Sequence, residues 1–123
     1  MKSILLSVIF IFSILHSKGQ NKQVINLPPG NYETPSKSDE SKWVQGNIII
    51  IDQNRYKTSA NDEVGEYRFS VTAQRLFFIN GPLKHFFAKT SLTDDGPAIV
   101  LPTTENEHAG LKLVSDIWCY YKR

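Results

Sequence analysis

The sequence predicts an all-β fold, a single small antiparallel barrel or sandwich of about eight strands. Three observations lead there. Turn-forming residues recur about every 8–12 positions, the spacing of sandwiches and barrels. Glu66 to Val71 alternates, with Tyr67, Phe69 and Val71 on one side and Glu66, Arg68 and Ser70 on the other, which is the period-two signature of a half-buried strand. Between Gln20 and Arg123 no long stretch keeps a helical period, and β-branched and aromatic residues fill the apolar runs.

The chain begins with the short positive segment Met1-Lys2-Ser3. An apolar run follows from Ile4 to Leu15, broken only by Ser7 and Ser13, and then His16-Ser17-Lys18-Gly19-Gln20. The run is shorter than the about 20 residues of a spanning helix, and small residues stand at Ser17 and Gly19. This pattern predicts a helical signal peptide over residues 1–19, cut between Gly19 and Gln20, with no membrane span left afterwards. The expected location is secreted or periplasmic, and the signal segment is the one helix expected.

Gln20 to Pro29 reads as a lead-in stiffened by Pro28-Pro29, and residues 30–123 as one all-β domain. Asn31 to Thr34 is the first candidate strand, and Pro35 to Lys42 is a polar loop. Trp43 to Asp52 is the longest candidate, with four isoleucines at Ile48 to Ile51 and a bulge or close backbone approach at Gly46. Asp52-Gln53-Asn54 turns into Arg55 to Thr58, and Ser59 to Glu63 is read as polar loop. After the alternating strand, Thr72-Ala73-Gln74 turns into Arg75 to Asn80. Gly81-Pro82 punctuates, and His85 to Thr90 resumes with Phe86 and Phe87. Thr93-Asp94-Asp95-Gly96 is a strong turn signal, because Asp-Gly supports positive φ. Ala98 to Leu101 is strand and Thr103 to Gly110 polar loop, while Leu111 to Val114 and Ile117 to Tyr121 close the chain.

Charge excludes some function classes. The chain holds 14 Lys+Arg and 12 Asp+Glu, and the signal segment removes Lys2 and Lys18 and no acid. The mature part is therefore formally neutral, with no basic stripe to attract nucleic acid or anionic lipid. Cys119 is the one cysteine, so no intrachain disulfide staples the domain. Its neighbours Trp118, Tyr120 and Tyr121 place this free thiol in a strand, where burial is expected. No Asn-x-Ser/Thr triplet implies glycosylation.

Candidate chemistry is sparse, and neither a catalytic residue, a metal ligand nor a cofactor is implied. No G-x-S-x-G elbow is present, and of three histidines His16 leaves with the signal, so His85 and His108 remain. Asp94-Asp95 lacks the longer ligand pattern of a calcium loop and reads as a hairpin turn. Glu105, Glu107 and His108 read as a solvated loop, with His108 opposite the two acids if extended. Aromatic faces stack on sugars and apolar molecules. Trp43, Tyr67, Trp118 and Tyr120, with His85, are thus the candidate ligand-binding residues, although such aromatics in a small β domain are first of all core.

Three segments together resemble a group of small secreted β-rich domains of uncharacterised function. They are Gly30-Asn31-Tyr32, Gly65-Glu66-Tyr67-Arg68 and Phe78-Ile79-Asn80-Gly81-Pro82-Leu83. The group shares a G-x-Y start, a central G-x-Y-R strand and an F-x-x-G-P-L turn. Its members carry a cysteine soon after the first G-x-Y and another near the end. Cys119 matches the late one, while Glu33-Thr34-Pro35 stands where the early one would be. The chain is also similar to lipocalin-like and avidin-like (calycin) barrels, with Tyr32 in place of the Trp of their G-x-W. That similarity implies a ligand inside an up-and-down barrel.

Several strands, Ile48 to Ile51, Leu76 to Ile79 and Ala98 to Leu101, are apolar on both faces, so something must cover the second face. Barrel closure, the lead-in segment or a partner chain would serve. The expected function is a non-enzymatic exported module that binds a small molecule or a protein, with homo-oligomerisation left open. A ligand binder needs an enclosed pocket of about 300 Å³ or more. A protein-binding module needs a filled interior and an exposed apolar patch or open sheet edge. The alternative is a small extracytoplasmic hydrolase or inhibitor-like factor, which needs His85 or His108 within reach of an acid and a nucleophile.

Overall fold

Eight strands in chain order close into one antiparallel up-and-down barrel. The structure is a computed structural model that describes residues 23–34, 43–111, 113 and 115–122. The signal peptide with its cut at Gly19-Gln20, and the loop Pro35 to Lys42, lie outside the described residues. The strands are β1 (Gly30–Glu33), β2 (Ile48–Ile50), β3 (Arg55–Thr58), β4 (Asn61–Ser70), β5 (Arg75–Phe78), β6 (Phe87–Thr93), β7 (Gly96–Leu101) and β8 (Ile117–Lys122). A short helix α1 (Thr103–His108) stands between β7 and β8. Each strand pairs with the next, and β1 pairs with β8 through Tyr32↔Tyr121 to close the ring. The expected all-β class is thus realised as a barrel.

Alternation explains most of the interior. Tyr32, Ile48, Ile50, Tyr56, Tyr67, Leu76, Phe78, Ala88, Ile99, Leu101, Ile117 and Cys119 point inward and form one cluster. Burying a Leu- or Ile-sized side chain stabilises by about 1.5–3 kcal/mol, so this cluster dominates stability. Tyrosines fill the middle, because a phenol is bulky along its ring and polar only at its tip. The Tyr56 ring lies 4.9 Å from Phe78 and 6.5 Å from Tyr67, centroid to centroid. Each buried hydroxyl finds a backbone carbonyl near a barrel end. Tyr32 donates to Pro28, Tyr56 to Asn80 and Tyr67 to Asp52, all at 2.8 Å.

The lead-in segment closes the end of the barrel where β1 begins. Val24 and Leu27 are buried in the core. Gln74, at the β4–β5 turn, accepts a hydrogen bond from the Val24 N–H and donates to the Val24 carbonyl, both at 2.9 Å. At the opposite end, Gly65 of β4 and Gly81 of the β5–β6 connection press together. A Cβ on Gly65 would meet the Asn80 carbonyl at 2.5 Å and the Gly81 Cα at 2.9 Å, and Gly81 itself has φ of 91°. Only glycine permits that approach.

Several boundaries differ from the sequence expectation. β4 starts at Asn61, inside the expected polar loop, because it pairs with β3 as far as Thr58↔Asn61. β2 is three residues rather than the expected ten, and Trp43 to Asn47 approach it outside the ladder. β6 begins at Phe87 because Lys84 to Phe86 are spent in turns back to Gly81 and Leu83. Leu111 and Leu113 belong to neither strand nor helix. The signal segment was the one helix expected, but Thr103–His108 is helical. Asn106 explains it. This fully buried residue donates to the Pro102 carbonyl at 2.7 Å and the Phe87 carbonyl at 3.0 Å, and accepts from the Phe87 N–H at 2.7 Å.

Candidate functional site

The residues singled out from sequence do not converge on one cleft. Tyr67 is inside the barrel. Trp43 is half-buried at the barrel end where Gly65 meets Gly81, edge-on to Phe86 with centroids 5.4 Å apart, and its indole N–H donates to the Gly46 carbonyl at 2.8 Å. His85 is exposed in the adjoining β5–β6 connection. Trp118 and Tyr120 stack on the outside of β8, 5.8 Å apart. They sit opposite Val100 and Ala98 of β7. That pairing covers the outer face of β7, while Ile99 and Leu101 fill the inner one.

Cys119 is fully buried and unpaired. Burial pushes its thiol up to about 12, which leaves it protonated and a poor nucleophile. Asp94 and Asp95 form the β6–β7 hairpin turn, and the described residues contain no group of three or more potential metal ligands. His108 is exposed at the end of α1, and among the described residues neither it nor His85 hydrogen-bonds to an acid or hydroxyl. Glu105 and His108 line one hollow rather than opposite faces, because the segment is helical rather than extended. No helix among the described residues is long and apolar enough to cross a membrane.

The surface that does assemble is one sequence reasoning did not name. Adjacent residues of a strand point to opposite faces. Leu76 and Phe78 point inward, so Phe77 points out. Ala88 points inward, so Phe87 points out as well. The two are direct cross-strand partners, Phe77↔Phe87, and are 49% and 45% exposed. Ile79 continues the apolar strip. The signal was present in the paired apolar faces of these strands, but periodicity alone does not say which aromatic of Phe77-Phe78 faces water.

Charged groups frame the pair. Arg75 makes a two-pronged ion pair with Glu105 of α1, at 2.7 and 2.5 Å. The arginine holds the Glu105 carboxyl below its ordinary range. Arg68 faces outward directly opposite Phe77. Helix α1 is held against this edge of β6 by Asn106, which occupies the backbone groups of Phe87 where β7 no longer reaches. The result is an open hollow of about 390 Å³ lined by Arg75, Phe77, Phe87, Glu105 and His108.

A second open groove, of about 430 Å³, lies between the lead-in segment and the barrel rim. Ile25, Leu27, Tyr67, Phe69 and Val71 line it, with Asp52 at its edge. That carboxylate is already engaged by Arg55 and by the Asn54 and Arg55 backbone N–H groups, and the Arg55 hydrogen bond holds it below the ordinary carboxylate range. Comparison of the chain with protein-family models, curated proteins and solved structures finds no match.

Proposed function

We propose that this chain is an exported, non-enzymatic β-barrel binding module that recognises a protein partner through the outer face of β5 and β6. One observation carries the reading. Phe77 and Phe87 stand side by side in solvent on a barrel whose inside is taken up by its own tyrosines and aliphatic residues. Exposed aromatic residues are enriched at interface centres, with polar and charged groups at the surrounding rim. The signal-peptide pattern at residues 1–19 supports export, to the periplasm or beyond the cell. The groove under the lead-in segment favours a second reading, a small apolar ligand lodged between Leu27 and Phe69.

Photo-crosslinking in the exporting cell separates the two. A benzoyl-phenylalanine at position 87 should join the chain to a discrete protein, and one at Lys57, on the outer face of β3, should not. The adduct should vanish in Phe77→Ser. Native mass spectrometry of the purified chain that instead shows a retained small molecule, with no adduct from position 87, would overturn the protein-docking reading.

A further inference from the structure

The docking face holds two hollows, not one, and they share the Phe77–Phe87 pair as a common wall. The first is the hollow beside α1. The second, of about 300 Å³, lies toward the β5–β6 connection, with Lys84, His85 and Phe86 around it. The charges at their rims are unbalanced. Arg75 is answered by Glu105. Lys89, two residues along β6 from Phe87, acts on both Glu105 and Asp116. Arg68 and Lys84 are exposed, flank the aromatic pair, and have no acidic partner among the described residues. The acids nearest the face are engaged: Glu105 by Arg75, and Glu66, on the outer face of β4, by the Asn80 side-chain amide, which donates to it at 3.1 Å. Asp62 and Glu63 stand at the start of β4, and Asp94 and Asp95 in the β6–β7 turn.

We propose that these paired hollows take an acidic segment of the partner protein that carries two apolar anchors, one for each side of the Phe77–Phe87 wall. The inference rests on the reading of this face as a docking surface and adds the partner's chemistry. Apolar anchors would be desolvated against the phenyl rings, where most binding energy is concentrated. Carboxylates between them would meet Arg68 and Lys84, which set specificity and encounter rate more than affinity. A basic segment would bring like charges together at both ends of the wall. The face is also rigid where it matters. The backbone of Phe87 is fixed by Asn106 and that of Phe77 by its ladder to β4, so little ordering is needed on binding.

Two labelled synthetic peptides test this on the purified chain by fluorescence polarisation. One alternates Phe with Asp and Glu, and the other has Lys at every acidic position. The acidic peptide should bind about tenfold or more tighter, and the preference should collapse on going from about 50 mM to about 500 mM NaCl. Arg68→Glu with Lys84→Glu should reverse the preference at an unchanged melting temperature. Phe87→Ser should remove binding while keeping the barrel, since the Asn106 hydrogen bonds use only the backbone of residue 87. Equal binding of both peptides would overturn the inference and leave a charge-blind docking face. Binding of neither, with the position-87 crosslink still formed, would overturn the acidic partner alone. Loss of both would remove the docking reading as well. A concentration-dependent dimer in sedimentation that Phe87→Ser abolishes would make a second copy of this chain the occupant and overturn the inference.

Discussion

At the scale of residues, the tyrosines do unequal work. The Tyr56 hydroxyl donates to the Asn80 carbonyl and accepts the Leu83 N–H at 2.8 Å, and Leu83 is fully buried. Tyr67 makes one such bond, to the Asp52 carbonyl at the rim. Tyr56→Phe therefore strands a buried donor, which costs about 1–3 kcal/mol, whereas Tyr67→Phe should cost about 1 kcal/mol. Urea denaturation of both variants checks this, and equal midpoint shifts would refute it. The same residues give a physical account of two segments that stood out in the sequence. Gly65-Glu66-Tyr67-Arg68 and Phe78 to Leu83 touch each other. Gly65 packs on Gly81, and the Glu66 N–H donates to the Asn80 side chain at 2.8 Å. They form a clasp that holds the β5–β6 connection over the barrel end. The sequence shows the glycines and aromatics but not their contact, because Tyr56, which pairs with Gly65 across the β3–β4 ladder and completes the clasp, lies 24 positions before Asn80.

At the scale of elements, legibility followed periodicity. The alternation around Tyr67, the Asp94-Asp95 turn and the β7 apolar run all lie in strands or turns as expected. These segments state their structure in local pattern. Helix α1 does not. Thr103 to His108 has no apolar stripe, and it exists because one buried asparagine satisfies the Phe87 backbone while the Asp116 carboxylate accepts the Thr103 N–H at 2.8 Å. Both partners are distant in sequence. The lead-in segment is intermediate. Its prolines and its possible covering role were visible, yet its anchor, Gln74, was not, because a glutamine at a turn reads as solvated. In the structure Gln74 adopts φ of 56° and returns two hydrogen bonds to Val24. Deleting residues 20–29 exposes the sites of Val24 and Leu27 and removes the acceptor of the Tyr32 hydroxyl. Two buried aliphatic side chains imply a loss of about 3 kcal/mol or more. For about 100 residues that lowers the melting temperature by more than about 10 °C. A deletion that melts with the intact chain would show that the segment lies loosely over the barrel mouth.

At the scale of the whole molecule, closing the sheet places four weak acids in one low-dielectric interior, and this makes the fold sensitive to alkali. Burial is the main cause for each. It raises the Tyr32 hydroxyl well above its ordinary value, with the neighbouring Tyr121 and Tyr67 adding to the effect, and it takes Tyr56 and Tyr67 to about 12. The Cys119 thiol, ordinarily near 9.0, also rises to about 12. An unfolded chain releases these protons near 9 for the thiol and near 10 for the phenols, while the barrel keeps them. Unfolding is then coupled to proton release, so stability falls as pH rises. The contribution is fully present below about pH 9, begins to be lost as the thiol's unfolded value is passed and steepens above about pH 10; the shares of Cys119, Tyr56 and Tyr67 are gone once their folded values of about 12 are exceeded, and that of Tyr32 persists higher still. Thermal melts between pH 8 and 12 should therefore be flat from these groups at first and then drop. Cys119→Ala should delay the onset from about pH 9 to about pH 10. Thiol reagents should fail to modify Cys119 until the same transition, because the sulfur reaches solvent only when the barrel opens. A melting temperature that stays level from pH 9 to 12 would mean that water already reaches these hydroxyls in the folded state. The interior would then be hydrated rather than filled by its own side chains.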